Sequence, residues 1–423
     1  MAQTWDYPAQ LSDWIATETD GKWKLGFESR GRYESRFGQT FGRDVDLETG
    51  LVRHRLSLTF NPYKWLKISA MAQDSRAPWF GRSAPNNLRD QLDLQESYLE
   101  IAPPSKTGFG LSIGRQMINY GDARLIGSPQ WGNLARTFDR ARLFYTSTKM
   151  QLEFLVASPV KIRLGEFNMP VLGDRIWGVY NTFPNLFRKA TVDIYILKHD
   201  QNRQGGFAGG TRALGTDKLG TRTYGGRIAG PLGTGWKYAV EGALQEGMVG
   251  AAEHRAGAWS SNVTRRLMAR EKPLDLGVEY KFASGSKDLR DTTKSGTFDQ
   301  LYPANHDKLG HEDLFGWRNL HDLRFLGSYG VTKTFSLNLM YNHLWLASAR
   351  DGIYSNPGRL LFRSVNGTAG RHVGQETDLF FTYKYQHLLM GAGYGHFVAG
   401  SFIRQTTPGV NPVFLYMFHT YSF

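Results

Sequence analysis

Alternation of apolar and polar residues runs through the whole of this 423-residue chain and restricts it to extended structure. In residues 50–60, for example, Val52, Leu56 and Leu58 alternate with Arg53 and Arg55. A period of two is the pattern of a β-strand with one face in an apolar environment and the other in a polar one. Since no segment shows a period of 3.6, the sequence predicts an all-β protein.

Eighteen such strands are predicted, and the connections between them alternate between short and long. The strands are 22–34, 50–60, 63–74, 91–102, 108–117, 140–146, 150–158, 173–182, 187–198, 220–229, 235–247, 254–264, 274–283, 319–329, 333–346, 374–385, 387–398 and 411–423. The longer connections are mostly polar and rich in Gly and Pro, and include 35–49, 75–90, 118–139, 159–172, 199–219, 248–253, 284–318, 347–373 and 399–410. Two unlike rims are typical of a transmembrane antiparallel up-and-down β-barrel with short periplasmic turns and long extracellular loops.

The even strand count places both termini on the periplasmic side of this predicted barrel. We expect a single barrel domain over residues 22–423, preceded by an N-terminal periplasmic segment, 1–21. The residues Met1 to Trp5 show neither the basic start nor the apolar core of a signal peptide, so we expect a mature chain. These features together predict the outer membrane of a Gram-negative bacterium.

The composition agrees with a barrel that encloses water. Mean hydropathy is −0.42, as expected if about half of each strand faces water. No stretch approaches the roughly 18 to 20 apolar residues of a membrane-spanning helix. A barrel of this size encloses an aqueous channel, since its interior is too wide for side chains to fill.

The last strand ends in an aromatic residue. Val413, Leu415, Met417, Tyr421 and the terminal Phe423 all fall on one face. Such an ending resembles the signal by which outer-membrane barrels are recognised, so we predict the barrel assembly machinery as a partner through Phe423. The alternative is an ordinary edge strand. Lipid and lipopolysaccharide are the partners expected for the outer face of the barrel.

The chain has a formal net charge of +13, so its basic residues must lie where they contact water or acidic groups. A basic side chain facing lipid at mid-depth costs about 2–4 kcal/mol, so basic residues within the strands should face the lumen. The predicted substrate path includes Arg30, Arg32, Arg53, Arg55, Arg140, Arg142, Arg324 and Lys384, and the predicted lumen acidic partners are Glu28, Asp193, Asp322 and Asp378. A surplus of arginine attracts anions, and the guanidinium group binds carboxylates with two hydrogen bonds. The alternative is a self-compensating ladder that stiffens the wall.

Several segments resemble the alginate-export family. They are GRQ at 114–116, YGDARLIG at 120–127, RTFDRAR at 136–142, FDQLYP at 298–303, GWRNL at 316–320, HVGQETD at 372–378 and GYGHF at 393–397. The resemblance covers nearly the whole chain and implies an eighteen-stranded outer-membrane barrel with an electropositive lumen that passes an anionic polysaccharide or a related uronate. It also implies constriction residues at Arg115, Arg140 and Arg142. Arg115 is in phase with the outward Ile113, so it needs a bulge near Gly114 to face inward.

Signals for other chemistry are weak. The chain contains no Gly-x-Ser-x-Gly, Walker or His-Glu-x-x-His pattern, so we predict no enzyme activity. Most aromatic residues alternate with the arginines on the opposite strand face, which argues against nucleic acid as a partner. We predict no cofactor; loop-bound Ca²⁺ remains the alternative for a group whose spacing matches no standard site, namely His306, Asp307, His311, Glu312 and Asp313.

The leading hypothesis is therefore passive diffusion of an anionic, alginate-like saccharide through an arginine-lined channel. A general anion-selective porin for small solutes is one alternative, and a surface receptor or scaffold barrel is another. Because every predicted periplasmic turn is short, we expect any gate to lie in the outer loops, chiefly 76–90, 118–139, 284–318 and 347–373.

Overall fold

The computed structural model describes residues 7–43, 46–80, 84–85, 87–105, 107–187, 189–202, 218–268 and 272–423. Residues 1–6, which include the start of the chain where no signal peptide is expected, most of the predicted connection 199–219 and the middle of the turn 268–273 lie outside this set.

Eighteen of the described strands form one closed antiparallel barrel. These are β1 (Trp23–Phe37), β2 (Leu47–Tyr63), β3 (Leu66–Arg76), β4 (Asp90–Ile101), β5 (Gly108–Gln116), β6 (Phe138–Thr146), β7 (Gln151–Lys161), β9 (Asp174–Phe187), β10 (Ala190–Gln201), β11 (Leu219–Pro231), β12 (Trp236–Val249), β13 (Ala252–Met268), β14 (Leu274–Ala283), β16 (Leu320–Gly330), β17 (Phe335–Leu346), β20 (His372–Tyr385), β21 (Leu388–Ala399) and β22 (Val413–Ser422). Four short strands lie in loops: β8 (Met169–Pro170), β15 (Lys294–Ser295), β18 (Gly352–Tyr354) and β19 (Leu360–Arg363). The predicted fold class and strand count are confirmed.

In the described part of the chain, two α-helices and one 3-10 helix accompany the strands: α1 (Tyr7–Glu18), α2 (Ser401–Thr406) and the 3-10 turn Gln39–Phe41. Among the described residues, neither α-helix is long and apolar enough to cross a membrane.

The barrel closes by pairing its first strand with its last. Antiparallel partners run from Glu28 opposite Ser422 to Phe37 opposite Val413. The backbone of Phe423 continues this seam, since its N–H donates to the carbonyl of Phe27 at 3.1 Å and its own carbonyl accepts from Phe27 at 3.2 Å. Helix α1 lies beside the part of β1 beyond the seam, where the Ser12 hydroxyl donates to the Leu25 carbonyl at 2.6 Å.

The two faces of the wall have opposite polarity, which explains why the sequence alternates. On β5, the side chains of Phe109 and Ile113 point outward and are 72% and 54% exposed, whereas Ser112 between them faces the interior and is fully buried. Apolar residues thus cover the outside, where lipid would solvate them, and polar residues cover the lumen.

The connections form two unlike rims, as predicted. Short turns such as 64–65, 147–150 and 386–387 lie at one rim, and long loops such as 117–137, 284–319 and 347–371 lie at the other. The predicted connection 248–253 is shorter than expected, because β12 and β13 extend until only residues 250–251 join them. The N-terminal end of β1 and the C-terminal end of β22 both lie at the short-turn rim, as the even number of strands requires.

A hydrophobic core fills the barrel near the long-loop rim. Phe298, Phe315 and Trp317 from loop 284–319 pack there with Ile126 from loop 117–137, and Phe397 of the wall joins them. A parallel bridge between Ile126 and Tyr302 joins the two loops directly. The long loops therefore fold into the lumen, where they meet the polar face of the wall.

Candidate functional site

Arginine side chains from β1 and β2 form a cluster on the lumen wall. Arg30 lies directly opposite Arg53 in the strand register, and Glu28 lies opposite Arg55. Arg32 extends the group along β1, and all four guanidinium-bearing residues are between 2% and 7% exposed. We call Arg30, Arg32, Arg53 and Arg55 the arginine cluster. Each of them faces the lumen, as the alternation in the sequence predicts.

The tip of loop 117–137 covers the arginine cluster with backbone carbonyl groups. Arg30 donates to the carbonyls of Gln130 and Gly132 at 2.8 and 2.9 Å, and Arg53 donates to Gly132 at 2.9 Å. Arg32 donates to the carbonyl of Trp131. Neutral oxygens of the protein itself thus accept hydrogen bonds from groups that bind carboxylates well.

The cluster has more positive than negative charge. Together with Arg36, five arginines on the lumen faces of β1 and β2 are matched by only two glutamates on those faces, Glu28 and Glu34. Glu28 pairs with Arg53 at 2.7 Å and lies 3.9 Å from Arg55. In the described structure, the Arg55 Nη2 atom is buried without a hydrogen-bond partner. This surplus makes the cluster a candidate anion site.

Asn133 anchors the loop tip to the wall. Its side-chain nitrogen lies 2.8, 3.1 and 3.2 Å from the carbonyl oxygens of Leu88, Arg76 and Val52, and the residue is fully buried. The neighbouring Trp131 ring lies 4.3 Å from the Arg32 guanidinium carbon, and it stacks on a histidine of loop 284–319. No sequence pattern indicates this anchor, because an asparagine in a polar loop is typical of a turn.

The predicted pair on β6 also faces the lumen. Arg142 bridges Glu100 and Glu153 at 2.8 Å each, and its guanidinium lies over the ring of Phe144. It borders a cavity of about 350 Å³ between the wall and loop residues 119–121. Arg140 is more buried; it donates to Gln116 and lies 3.7 Å from Glu153. Arg142 is the more accessible of the two.

Arg115 lies on the other face of the wall. It is opposite Asp139 in the register, and Gly114 is opposite Arg140, so the pairing continues unbroken through Gly114. Because successive side chains alternate, Arg115 points away from the face that carries Arg140. It pairs with Asp139 at 2.8 Å and donates to the carbonyl of Asn168 at 2.8 Å. The inward orientation that a bulge would have produced is absent at this described position.

The remaining predicted residues reach the lumen in different settings. Arg324 pairs with Glu279 at 3.0 Å, and Asp322 pairs with Lys281 at 2.7 Å. Asp193 accepts from Arg227 at 3.3 Å. Lys384 lies near the short-turn rim with its side chain exposed, and among described residues it has no carboxylate within 4.0 Å. Of these residues, Lys384 is the open basic group, and Arg324 is a paired one.

Asp378 does not pair with a cation, contrary to the predicted role of a lumen acidic partner. Its carboxyl contacts Glu376 on the same strand, and one oxygen accepts from the backbone N–H of His311 at 3.4 Å. Glu376, two residues before Asp378 on the same face of β20, is not among the predicted lumen acidic partners.

The residues weighed for loop-bound Ca²⁺ have other partners. The His306 Nδ1 atom lies 2.6 Å from Asp313, the His311 Nδ1 atom lies 3.0 Å from the Tyr416 hydroxyl, and Asp307 pairs with Lys308. No group of three or more His, Asp or Glu side chains in the described part of the chain is arranged to hold a metal ion.

A second buried network ties loop 284–319 to the wall. The Asp299 carboxylate accepts from Arg318 at 2.5 Å and contacts His199 at 2.8 Å. Burial would raise the pKa of Asp299, but Arg318 and His199 hold it well below its ordinary value. Arg136 links the two inward loops, donating to the carbonyls of Gly127 and Pro303 at 3.0 Å each, and burial lowers its pKa to about 10. The loops are thus fixed by charged groups as well as by the core.

Known proteins share both the sequence features and the fold of this chain. The model of the alginate export family matches residues 22–414. Solved Pseudomonas aeruginosa structures share the fold: OpdQ, at 12% identity, with a TM-score of 0.64 and coverage of 95% of this chain and 97% of that one; OccK3 (OpdO), at 12% identity, with a TM-score of 0.63 and coverage of 95% of each; and the outer membrane protein opdK, at 11% identity, with a TM-score of 0.62 and coverage of 95% and 98%. No protein with a curated function matches. The match over nearly the whole barrel shows that this chain belongs to the alginate export family.

Proposed function

We propose that the protein is an outer-membrane channel through which an anionic, alginate-like saccharide diffuses passively. The family and its porin-type neighbours indicate a channel rather than an enzyme. The observation that carries the finer proposal is the arginine cluster, since the five lumen arginines of β1 and β2 exceed the glutamates beside them. A surplus of fixed positive charge in a low-dielectric wall concentrates anions and repels cations.

Hydrogen-bond chemistry supports carboxylates as the ligands of this cluster. The carbonyls of residues 130–132 now accept from Arg30, Arg32 and Arg53. Hydrogen bonds between two ionised partners are roughly twice as strong as those with a neutral partner. A uronate carboxylate that reaches the cluster therefore competes well with the loop carbonyls, and exchanges with them without leaving a buried donor unpaired.

Arg142 and Lys384 would bind a passing anion more weakly than the arginine cluster and would extend the substrate path toward the short-turn rim. Arg142 is about a quarter exposed and shares its charge with Glu100 and Glu153. Lys384 is open to solvent at the lumen entrance. Partly neutralised or hydrated cations hold an anion only briefly, and conduction requires sites that release as readily as they bind.

The inward loops favour a second candidate, a general anion-selective porin for small solutes. Loops 117–137 and 284–319 pack a hydrophobic core inside the lumen near the long-loop rim. A narrow passage suits short anions better than a thick polymer. The same loops also leave open a receptor or scaffold function, in which the loops bind and the lumen does not conduct.

Single-channel conductance in planar bilayers separates these functions. The proposal predicts anion preference and block of the current by oligouronates. Anion preference without block would favour the general porin, a pore closed at every voltage would favour the receptor, and cation preference would refute the electropositive lumen. Arg142→Ala should lower the anion preference. Its matched control is Arg76→Ala, because Arg76 is opposite Val52 on the outward face and pairs there with Asp74.

A further inference from the structure

Three carboxyl groups meet where loop 284–319 touches the barrel wall. Glu312 comes from the loop, and Glu376 and Asp378 come from the lumen face of β20. The three residues are 4%, 0% and 1% exposed. Each of them has one buried carboxyl oxygen without a hydrogen-bond partner in the described structure, namely Glu312 Oε1, Glu376 Oε2 and Asp378 Oδ1. We call this group the carboxyl cluster.

The loop backbone is pressed against the carboxyl cluster. The N–H of Glu312 donates to Glu376 Oε1 at 2.9 Å. A Cβ atom built on Gly310 would lie 2.3 Å from the Glu376 carboxyl, and one built on Gly395 would lie 2.8 Å from Asp378 Oδ1. Such close contact leaves no space for the water that would solvate three negative charges.

No neighbouring cation neutralises the cluster. The charged and titratable groups that face it are Arg36 on β1, Arg324 on β16, Tyr416 on β22, and His306 and His311 in the loop. Glu34 pairs with Arg36, Asp313 with His306, and Asp307 with Lys308. Arg36 donates to the backbone carbonyl of Glu312 at 2.9 Å and pairs with Glu34 at 3.3 Å. Arg324 is paired with Glu279. Within the described chain, no cationic side chain lies within 4.0 Å of a cluster oxygen.

Carboxyl groups in this setting must hold protons. Ionised carboxylates in contact repel each other, and burial disfavours the charged form of each. Burial and the adjacent Asp378 raise the pKa of Glu312 to about 8. At neutral pH the cluster is thus at least partly protonated, and a shared proton can bond carboxyl oxygens that otherwise have no donor.

We propose that the carboxyl cluster is a proton-operated latch that holds residues 306–313 of the loop against β20. Loss of the protons leaves mutually repelling buried charges, and the segment moves out to water. The movement is transmitted to the arginine cluster, because the His306 ring stacks on Trp131 at 4.2 Å and the Trp131 carbonyl caps Arg32. Deprotonation therefore uncovers the anion site, a consequence that rests on the proposed channel function.

The direction of the pH dependence follows from the raised pKa. An exposed glutamate has a pKa of 4.5, and Glu312 in the docked loop has a pKa of about 8. The docked state keeps its full stability below pH 4.5 and loses it progressively as the pH rises to about 8. One proton bound more tightly by the docked state changes the ratio of docked to released molecules about tenfold for each pH unit in this range.

Hydrogen exchange of residues 306–313 in the detergent-solubilised full-length barrel tests the latch without requiring conduction. After correction for the intrinsic pH dependence of exchange, protection of this segment should fall at least tenfold between pH 5 and pH 8.5. Glu312→Gln cannot ionise at that position, so its protection should fall much less. Asp307→Asn is the matched control, since Asp307 belongs to the same segment but has a 71% exposed side chain. Its profile should follow that of the unmodified protein.

Constant protection between pH 5 and pH 8.5, or equal profiles for Glu312→Gln and Asp307→Asn, would overturn the latch. If Glu312→Gln does not fold, Glu376→Gln provides the same comparison from the wall. Bilayer conductance of the same proteins separates the latch from the channel proposal. Release of the segment with no change in current supports the latch and counts against its control of the pore, whereas a pH-dependent current without release would contradict the latch.

Discussion

Replacement of Asn133 by alanine should detach the tip of loop 117–137 from the barrel wall. The side-chain amide has two N–H groups, and they serve carbonyls of Val52, Arg76 and Leu88 at 2.8 to 3.2 Å. Two hydrogen bonds with a net value of about 1 kcal/mol each, and about 1 kcal/mol for buried carbonyls left unpaired, sum to about 3 kcal/mol. That free energy corresponds to roughly a hundredfold larger population of the detached tip.

Hydrogen exchange over residues 128–136 should report this population directly, and single-channel recording should show a larger or noisier current. Asn119→Ala is the matched control. Asn119 lies in the same loop but is exposed, and its Oδ1 accepts a single hydrogen bond, from the Ser128 N–H at 2.9 Å. Its replacement should change exchange by no more than about fivefold. Equal effects of the two substitutions would refute the assignment of Asn133 as the anchor.

Three further changes test the loops and the closure of the barrel. Arg136→Met removes the hydrogen bonds that join the two inward loops, and we expect a loss of about 2–3 kcal/mol in the free energy of unfolding, measured by denaturant titration; no loss would mean that the core alone holds the loops. Asp299→Asn leaves the buried Arg318 without a carboxylate partner, whereas His199 keeps its contact with Asp174 at 3.2 Å, and the change should lower stability by about 3–5 kcal/mol. Because the pKa of Asp299 is depressed below its ordinary 3.8, this contribution persists above that pH and is lost as the pH falls further, so the variant and the unmodified protein should converge in strong acid. Deletion of Phe423 removes two backbone hydrogen bonds at the seam and should reduce the yield of folded barrel in heat-modifiability gels, and an unchanged yield would argue against its role in assembly.

Most of the fold could be predicted from the alternation of apolar and polar residues. A barrel wall between lipid and water requires this alternation in every strand. The eighteen predicted strands all occur, and Arg30 and Arg53 face the lumen because the large apolar residues of their strands, such as Phe27 and Leu56, occupy the opposite phase of the period-two pattern. For Arg115, the resemblance to the family implied a constriction residue that faces the lumen. Its phase pointed outward, and the unbroken register through Gly114 agrees with the phase.

The inward path of the loops could not be predicted from the sequence. Asn133 and Gln130 lie in segments without periodicity, so nothing local indicates that they reach β1 and β2. Arg36 was missed because it follows the predicted end of the first strand, which extends to Phe37. Glu312 was weighed only as a metal ligand, since its contact with Glu376 depends on how a 36-residue loop folds back.

Closure of the seam between β1 and β22 completes the charged wall of the lumen. Its partners, such as Arg32 opposite Phe418, stand at opposite ends of the chain, so the contact has nearly the greatest sequence separation available. Contacts of this kind form slowly, because the entropy of closing the whole chain must be overcome first. Until that moment β1 has a free edge, and the arginines it carries have neither their full wall nor a closed lumen around them. A chain whose barrel has not closed thus exposes a basic strand with one free edge and has no selective pore.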